Sequence, residues 1–123
     1  MTVEFRSERT FTVWQYTVFH HGRLLLRSPR RTESDTRIDL HVGVGAMMLR
    51  PSYEGIVIRE GTAEERDHVV SVLGPEVFDR GGLLHVIGED RMTGFFIGGP
   101  LQCSETYAAD DEPSGFTPMP ETA

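Results

Sequence analysis

Residues 36–45, TRIDLHVGVG, alternate apolar and polar side chains almost without a break. A β-strand places successive side chains on opposite faces, so this spacing predicts a strand with one apolar and one polar face. The polar face carries Arg37, Asp39 and His41. Because one face of an antiparallel sheet commonly meets water, we expect these three side chains to be solvent exposed.

Strand patterns recur along most of the chain. The run TFTVWQYTVF at 10–19 is rich in β-branched and aromatic residues, and HHG provides a turn into RLLLRS at 23–28. These two segments predict a β-hairpin. Further strands are predicted at 36–45, 46–49, 54–60, 83–88, 94–98 and 101–107. Gly43 and Gly45 indicate a bulge or a sharp bend near the end of the TRIDLHVGVG strand.

One main helix is predicted, over about 62–73. Thr62 and Glu65 have the spacing of a capping box, in which each side chain accepts from the backbone N–H of the other residue. The expected apolar stripe consists of Val69, Val70 and Leu73. With seven or eight strands and this helix, the sequence predicts an α+β fold. The sheet is expected to be bent and mostly antiparallel, or a partial barrel.

The length of 123 residues fits one domain. Residues 1–107 are predicted to form it, whereas 108–123 are rich in acidic residues, proline and small residues and predict a flexible tail. The chain has no apolar run of about 18 residues that predicts a membrane helix, and its N-terminus does not resemble a signal peptide. The single cysteine, Cys103, cannot form an internal disulfide. We therefore expect a cytoplasmic protein with no membrane contact.

Charge is unevenly distributed along the chain. Residues 1–59 hold nine arginines and six acidic residues, whereas residues 60–123 hold three arginines and thirteen acidic residues. The net charge of −7 disfavours nucleic-acid binding, which needs a concentrated basic surface. Every basic residue is arginine, whose planar fork suits a phosphate, an acidic partner or the chain's own acidic half. The predicted binding residues are Arg27, Arg30, Arg31 and Arg37.

Asp39 and His41 are the candidates for catalysis. An aspartate two residues from a histidine on one strand face can hold the imidazole in one tautomer, with Arg37 as an anion clamp. The sequence has no GxSxG elbow and no HExxH or CxxC spacing to accompany them. Because the alternation alone is typical of a solvent-facing sheet, we predict no catalytic residue, no metal and no cofactor.

The remaining histidines and the cysteine have simpler interpretations. His85 lies in LLHVI, a strand that is apolar on both faces, and is expected to be a buried, hydrogen-bonded histidine. His20 and His21 are adjacent and are expected to be turn residues. Cys103 has no basic neighbour in sequence and is expected to be an unreactive thiol.

The first functional hypothesis is a small non-enzymatic binding or accessory domain that contacts another protein, of which an inhibitor or immunity-type protein is one form. Two alternatives stay open. One is a small-molecule-binding domain with a pocket in the bent sheet, and the other is an enzyme that uses Asp39 and His41. The candidate pocket residues are Trp14, Tyr16, Phe95 and Phe96. Opposite charges on the two halves permit a homodimer.

Overall fold

Seven strands, one α-helix and a short 3-10 helix make up the part of the chain that the computed structural model describes, residues 2–18 and 22–112. The strands are β1 (Val3–Thr17), β2 (Arg23–Ser28), β3 (Arg37–Met48), β4 (Ser52–Glu60), β5 (Leu83–Ile87), β6 (Gly94–Gly98) and β7 (Gln102–Thr106). The helix, α1, spans Ala63–Leu73, and the 3-10 helix spans Pro75–Phe78. This confirms the predicted α+β fold. The predicted turn residues His20 and His21, and residues 113–123 of the predicted tail, lie outside the described residues.

The strands pair antiparallel in a partial ring. β1 pairs with β2 and β4, β4 with β5, β5 with β6, β6 with β3, and β3 with β2. Along β3, the segment Arg37–His41 pairs with β7 and the segment Val44–Met48 pairs with β6. These pairings return from β3 to β2, and β7, which has no second partner among the described strands, lies outside this circuit, so the sheet is not a regular barrel. β3 is therefore the strand that joins β2, β6 and β7.

β3 is one continuous strand, although the sequence predicted two, at 36–45 and 46–49. Its register shifts between Val44 and Ala46, which confirms the bulge that the two glycines indicated. A bulge bends a strand without ending its pairing, so the two predicted strands are halves of the same one.

β1 begins at Val3, well before the predicted start at residue 10. Its first half alternates exposed Glu4, Arg6 and Glu8 with less exposed residues such as Phe5, and it pairs with β4. The high charge of this segment hid the strand pattern, because the sequence reasoning relied on β-branched and aromatic residues.

The inward faces of the strands form one apolar core. Its buried members are Phe11, Leu24, Leu26, Ile38, Leu40, Val42, Val44, Tyr53, Ile56, Ile58, Ile87 and Phe96. All four apolar side chains of the TRIDLHVGVG stretch belong to it, which confirms the apolar face predicted from the alternation.

The helix α1 covers the outer face of β5 and β6. Val69 is its buried residue, and it packs on a second apolar cluster. The other buried members of this cluster are Leu84, Val86, Phe95 and Ile97. The apolar stripe of α1 is narrower than predicted, because Leu73 is 42% exposed. The 3-10 helix adds Val77 and Phe78 to the cluster. No helix in the described ranges is long and apolar enough to cross a membrane.

His85 lies inside the ring and is 1% exposed. Its Nδ1 is 2.6 Å from a carboxylate oxygen of Glu4, and its Nε2 is 2.8 Å from the carbonyl oxygen of Gly99. Its ring stacks on Phe96 with the ring centroids 4.8 Å apart. These contacts confirm the prediction of a buried, hydrogen-bonded histidine, and they connect β5 to the start of β1 and to the residue after β6.

Arg59 connects α1 to the sheet. It is 3% exposed, and its Nη1 and Nη2 donate to the two carboxylate oxygens of Glu65 at 2.6 and 2.8 Å. The Glu65 carboxylate also accepts from the Thr62 N–H at 2.9 Å, while Thr62 Oγ1 accepts from the Glu65 N–H at 3.1 Å, so the predicted capping box is confirmed. Against the effect of partial burial, the hydrogen bonds from Arg59 and then from Thr62 lower the pKa of Glu65 from 4.5 to about 2.

Replacement of Glu65 by Gln should lower the free energy of unfolding by about 2 kcal/mol at neutral pH, because Arg59 loses its charged acceptor. The folded-state pKa of Glu65 lies below its usual value, so its contribution is fully present above pH 4.5 and is lost as the pH falls toward about 2. Urea unfolding of both chains at about pH 7 and about pH 3 should therefore show a smaller difference at the lower pH. Glu64→Gln, a change at the exposed neighbouring residue, is the control. A loss of unfolding free energy in E65Q that does not change with pH, or an equal loss in E64Q, would contradict this role.

Candidate functional site

The polar side chains of the TRIDLHVGVG stretch are buried. Arg37 is 1% exposed, Asp39 3% and His41 1%, so the prediction that they face water is wrong. Alternation correctly places them on the outward face of β3, but that face is covered. The segment 109–112, whose contacts are described below, lies over it, and Trp14 lies against Arg27 on the neighbouring strand β2.

Asp39 is held between two arginines. Arg27 lies opposite Asp39 on β2 and donates to its two carboxylate oxygens, from Nε at 2.7 Å and from Nη2 at 3.3 Å. Arg37, two residues earlier on β3, donates from Nη2 to the same carboxylate at 3.1 Å. Arg27 is 1% exposed, so all three charged groups are buried together. Removal of one partner from such a cluster leaves a charge without compensation in a poorly solvated place.

The remaining donors of these arginines bind the chain that follows β7. Arg27 Nη1 donates to the carbonyl oxygen of Asp110 at 2.8 Å, and Arg37 Nη1 donates to the carbonyl oxygens of Ala109 and, at 2.7 Å, Glu112. We call residues 109–112 the C-terminal turn, since the Glu112 N–H donates to Ala109 O at 3.1 Å. The start of the predicted tail thus lies against the sheet.

The other two predicted binding arginines lie in the loop between β2 and β3. The Arg30 N–H donates to a carboxylate oxygen of Asp110 at 2.8 Å, and Arg30 Nε lies 3.9 Å from the same oxygen. Arg31 donates from Nε to Asp35 at 2.6 Å and its side chain is 69% exposed. The structure therefore brings Arg27, Arg30 and Arg37 together around the C-terminal turn and leaves Arg31 at the surface.

His41 is buried between two charged neighbours, Arg23 and Asp39. Its Nδ1 lies 3.3 Å from Arg23 Nη1, which can only donate, so this nitrogen carries no proton in that contact. Burial first, and then the nearby Arg23 charge, lower the pKa of His41 below its usual value. Asp39, its predicted partner in catalysis, already accepts hydrogen bonds from two arginines. The pair is buried within the sheet and does not line the groove described below.

Two further predicted features can be located. Cys103 is an exposed free thiol on β7, and partial burial, Glu105 and Asp39 raise its pKa. A raised pKa keeps the thiol protonated, which is the opposite of what a reactive cysteine requires. Within residues 2–18 and 22–112, no three His, Cys, Asp or Glu side chains are arranged to hold a metal ion.

A groove of about 980 Å³ lies between the end of β1, the crossing of β3 with β6, and the 3-10 segment. The sequence did not predict it, because its walls come from three distant parts of the chain. Among the aromatic residues predicted for a pocket, Tyr16 lines it. Phe95 and Phe96 belong to the two apolar clusters instead, and Trp14 lies against Arg27, with the guanidinium carbon 4.9 Å from the ring centroid.

Glycine forms much of the groove wall. Gly22 and Gly81 have positive φ angles of 67° and 76°, and a Cβ on Gly98 would collide with the Gly43 carbonyl, so these glycines are explained within the fold. Gly45 and Gly99 differ, because neither has a positive φ and a Cβ on either would meet no atom within 4 Å. Their missing side chains leave open space in the groove.

The groove also carries charge. Glu76, Asp79 and Arg80 line the 3-10 side, and none of the three forms a salt bridge with another described residue. Tyr16 and Val18, on the opposite side, are 44% and 72% exposed. The groove thus offers exposed side chains, glycine backbone and two carboxylates that form no salt bridge with the described residues.

Replacement of Asp39 by Asn should lower the free energy of unfolding by roughly 3–5 kcal/mol, because Arg27 and Arg37 then share no carboxylate within the sheet. Urea unfolding at neutral pH measures the loss. Glu89→Gln is the control, since Glu89 and its partner Arg6 are both more than half exposed, with 58% and 52% of their side chains accessible, and it should cost much less. Equal losses for the two variants would show that the buried cluster is not a main stabilising contact.

Comparison of the chain with protein-family models, with curated proteins and with solved structures finds no match in any of the three. Function must therefore be inferred from the geometry of the chain itself.

Proposed function

We propose that this protein is a non-enzymatic binding domain whose groove receives an extended segment of another protein. The observation that carries this proposal is the open, glycine-lined groove beside exposed Tyr16 and Val18. Large exposed side chains beside a concave surface are typical of sites that contact a partner. An enzyme that uses Asp39 and His41 has less support, because both side chains are buried and engaged by arginines.

The chemistry of the groove favours a peptide backbone as its ligand. Glycine in a strand allows another backbone to approach closely, and Gly45 and Gly99 have free space on the groove side. Glu76 and Asp79 add two negative charges against the single positive charge of Arg80, so a partner segment with a basic side chain is complementary. The proposed ligand is therefore an extended segment that carries arginine or lysine.

A small molecule is the second candidate ligand. The groove volume of about 980 Å³ lies near the upper end of the usual range for such sites, and Tyr16 offers an aromatic surface. We favour the peptide because small-molecule sites usually enclose most of the ligand, whereas this groove is open to solvent.

Selection from a library of random displayed peptides tests the peptide proposal. We expect the wild-type chain to enrich peptides with basic residues, and we expect Gly45→Leu to weaken their binding at least about tenfold, because leucine fills the space that the backbone needs. Glu76→Gln combined with Asp79→Asn should weaken the same peptides by about threefold or more. Fluorescence anisotropy of labelled peptides measures each affinity.

His68→Leu adds the same side chain at an exposed helix position outside the groove and should leave the affinity unchanged. Failure to enrich any peptide would contradict the proposal. Enriched peptides whose affinity is unchanged by Gly45→Leu would also contradict it. A small-molecule library that yields groove ligands when the peptide library yields none would favour the second candidate.

A homodimer stays a prediction, based on the opposite charges of the two halves of the chain. Such an association weakens with added salt, so light scattering should report a larger mass at about 20 mM than at about 500 mM salt. A monomeric mass at both salt concentrations would contradict the prediction of a homodimer. Cytoplasmic location and the lack of a nucleic-acid partner likewise remain predictions from composition.

A further inference from the structure

Two arginine donors on the outer face of β2 and β3 bind main-chain oxygens of the C-terminal turn. Arg27 Nη1 donates to Asp110 O, and Arg37 Nη1 donates to the carbonyl oxygens of Ala109 and Glu112. A carboxylate adds the attraction between opposite charges to a guanidinium hydrogen bond and can accept two parallel hydrogen bonds from one guanidinium, whereas a carbonyl oxygen is neutral. A carboxylate from outside would therefore bind these donors better than the main-chain oxygens that now occupy them.

The C-terminal turn is attached in a way that allows it to leave. It follows β7, which ends at Thr106, and its own hydrogen bond closes it as a local turn. Its side-chain anchor is Asp110, which accepts from the Arg30 N–H at 2.8 Å. Asp111 is exposed. Because no strand pairing involves residues 109–112, their departure would leave the sheet hydrogen bonds intact.

We propose that Arg27, Arg30 and Arg37 form a binding site for an acidic peptide segment, and that the C-terminal turn occupies this site as an intramolecular competitor. A partner segment would place a carboxylate on the donors that now contact carbonyl oxygens. This site is separate from the groove, and its ligand has the opposite charge from the one proposed there. Each proposal can therefore fail without the other.

The tether sets how strongly the turn competes. A segment attached by a short linker has an effective concentration in the millimolar range, so a free peptide of the same sequence should displace it only at about millimolar concentration. Loss of the Asp110 anchor should weaken the turn and let an external peptide bind about tenfold more tightly.

Trp14 provides a readout within the site. It is the single tryptophan of the chain, and its ring centroid lies 4.9 Å from the guanidinium carbon of Arg27. A change in the contacts of Arg27 alters the surroundings of this ring, so tryptophan emission should report exchange of the turn for a peptide.

The experiment titrates the full-length chain with two synthetic peptides, AADDE, which copies residues 108–112, and its uncharged counterpart AANNQ. Tryptophan emission is recorded for the wild type, for Asp110→Ala and for Asp111→Ala, with the last as a control that removes an exposed charge nearby. We expect AADDE to bind D110A about tenfold more tightly than the other two chains, and AANNQ to bind none of them measurably.

Two results would overturn the proposal. One is equal binding of AADDE to all three chains. The other is no change in the Trp14 emission of D110A when AADDE is added up to about 5 mM, far above the range expected once the Asp110 anchor is lost. Circular dichroism shows whether the D110A chain is folded. An unfolded D110A chain would also count against the proposal, because a displaceable turn cannot be required for the fold.

Discussion

The buried carboxylate of Asp39 is the interaction on which the outward face of β2 and β3 depends. It accepts hydrogen bonds from Arg27 on β2 and Arg37 on β3, and so joins neighbouring strands through charge as well as through the backbone. The same two arginines bind the C-terminal turn, which covers them. Without Asp39, two buried guanidinium groups would lose the carboxylate between them, and the folded state would be less stable.

The local features of the fold could be predicted from the sequence because their causes are local. The capping box at Thr62 and Glu65, the hairpin pairing of β1 with β2 and the apolar face of β3 each follow from spacing within a few residues. The burial of Asp39 could not be predicted in this way. Alternation assigns a side chain to a face, whereas the cover over that face comes from the C-terminal turn, 72 to 75 positions away from Arg37.

The groove escaped prediction for a related reason. Gly45 lies at a bulge and Gly99 follows a strand, so each is explained locally by a bend in the chain. Only the folded chain shows that both glycines face the same open space, with Glu76 and Asp79 opposite. The uneven charge along the sequence also separates charges in the folded chain. The arginines of β2 and β3 bind main-chain oxygens of an acidic segment of the same chain, while carboxylates line the groove.

Hydrogen exchange of arginine side chains, followed by NMR on the free full-length protein, tests the buried arginine cluster most directly. Both guanidinium groups around Asp39 are nearly inaccessible to water, so their Nε–H and Nη–H signals should be resolved and should exchange slowly. Arg31, with 69% of its side chain exposed, should exchange rapidly under the same conditions. Rapid exchange of Arg27 and Arg37, at a rate close to that of Arg31, would contradict the account of a closed, turn-covered cluster.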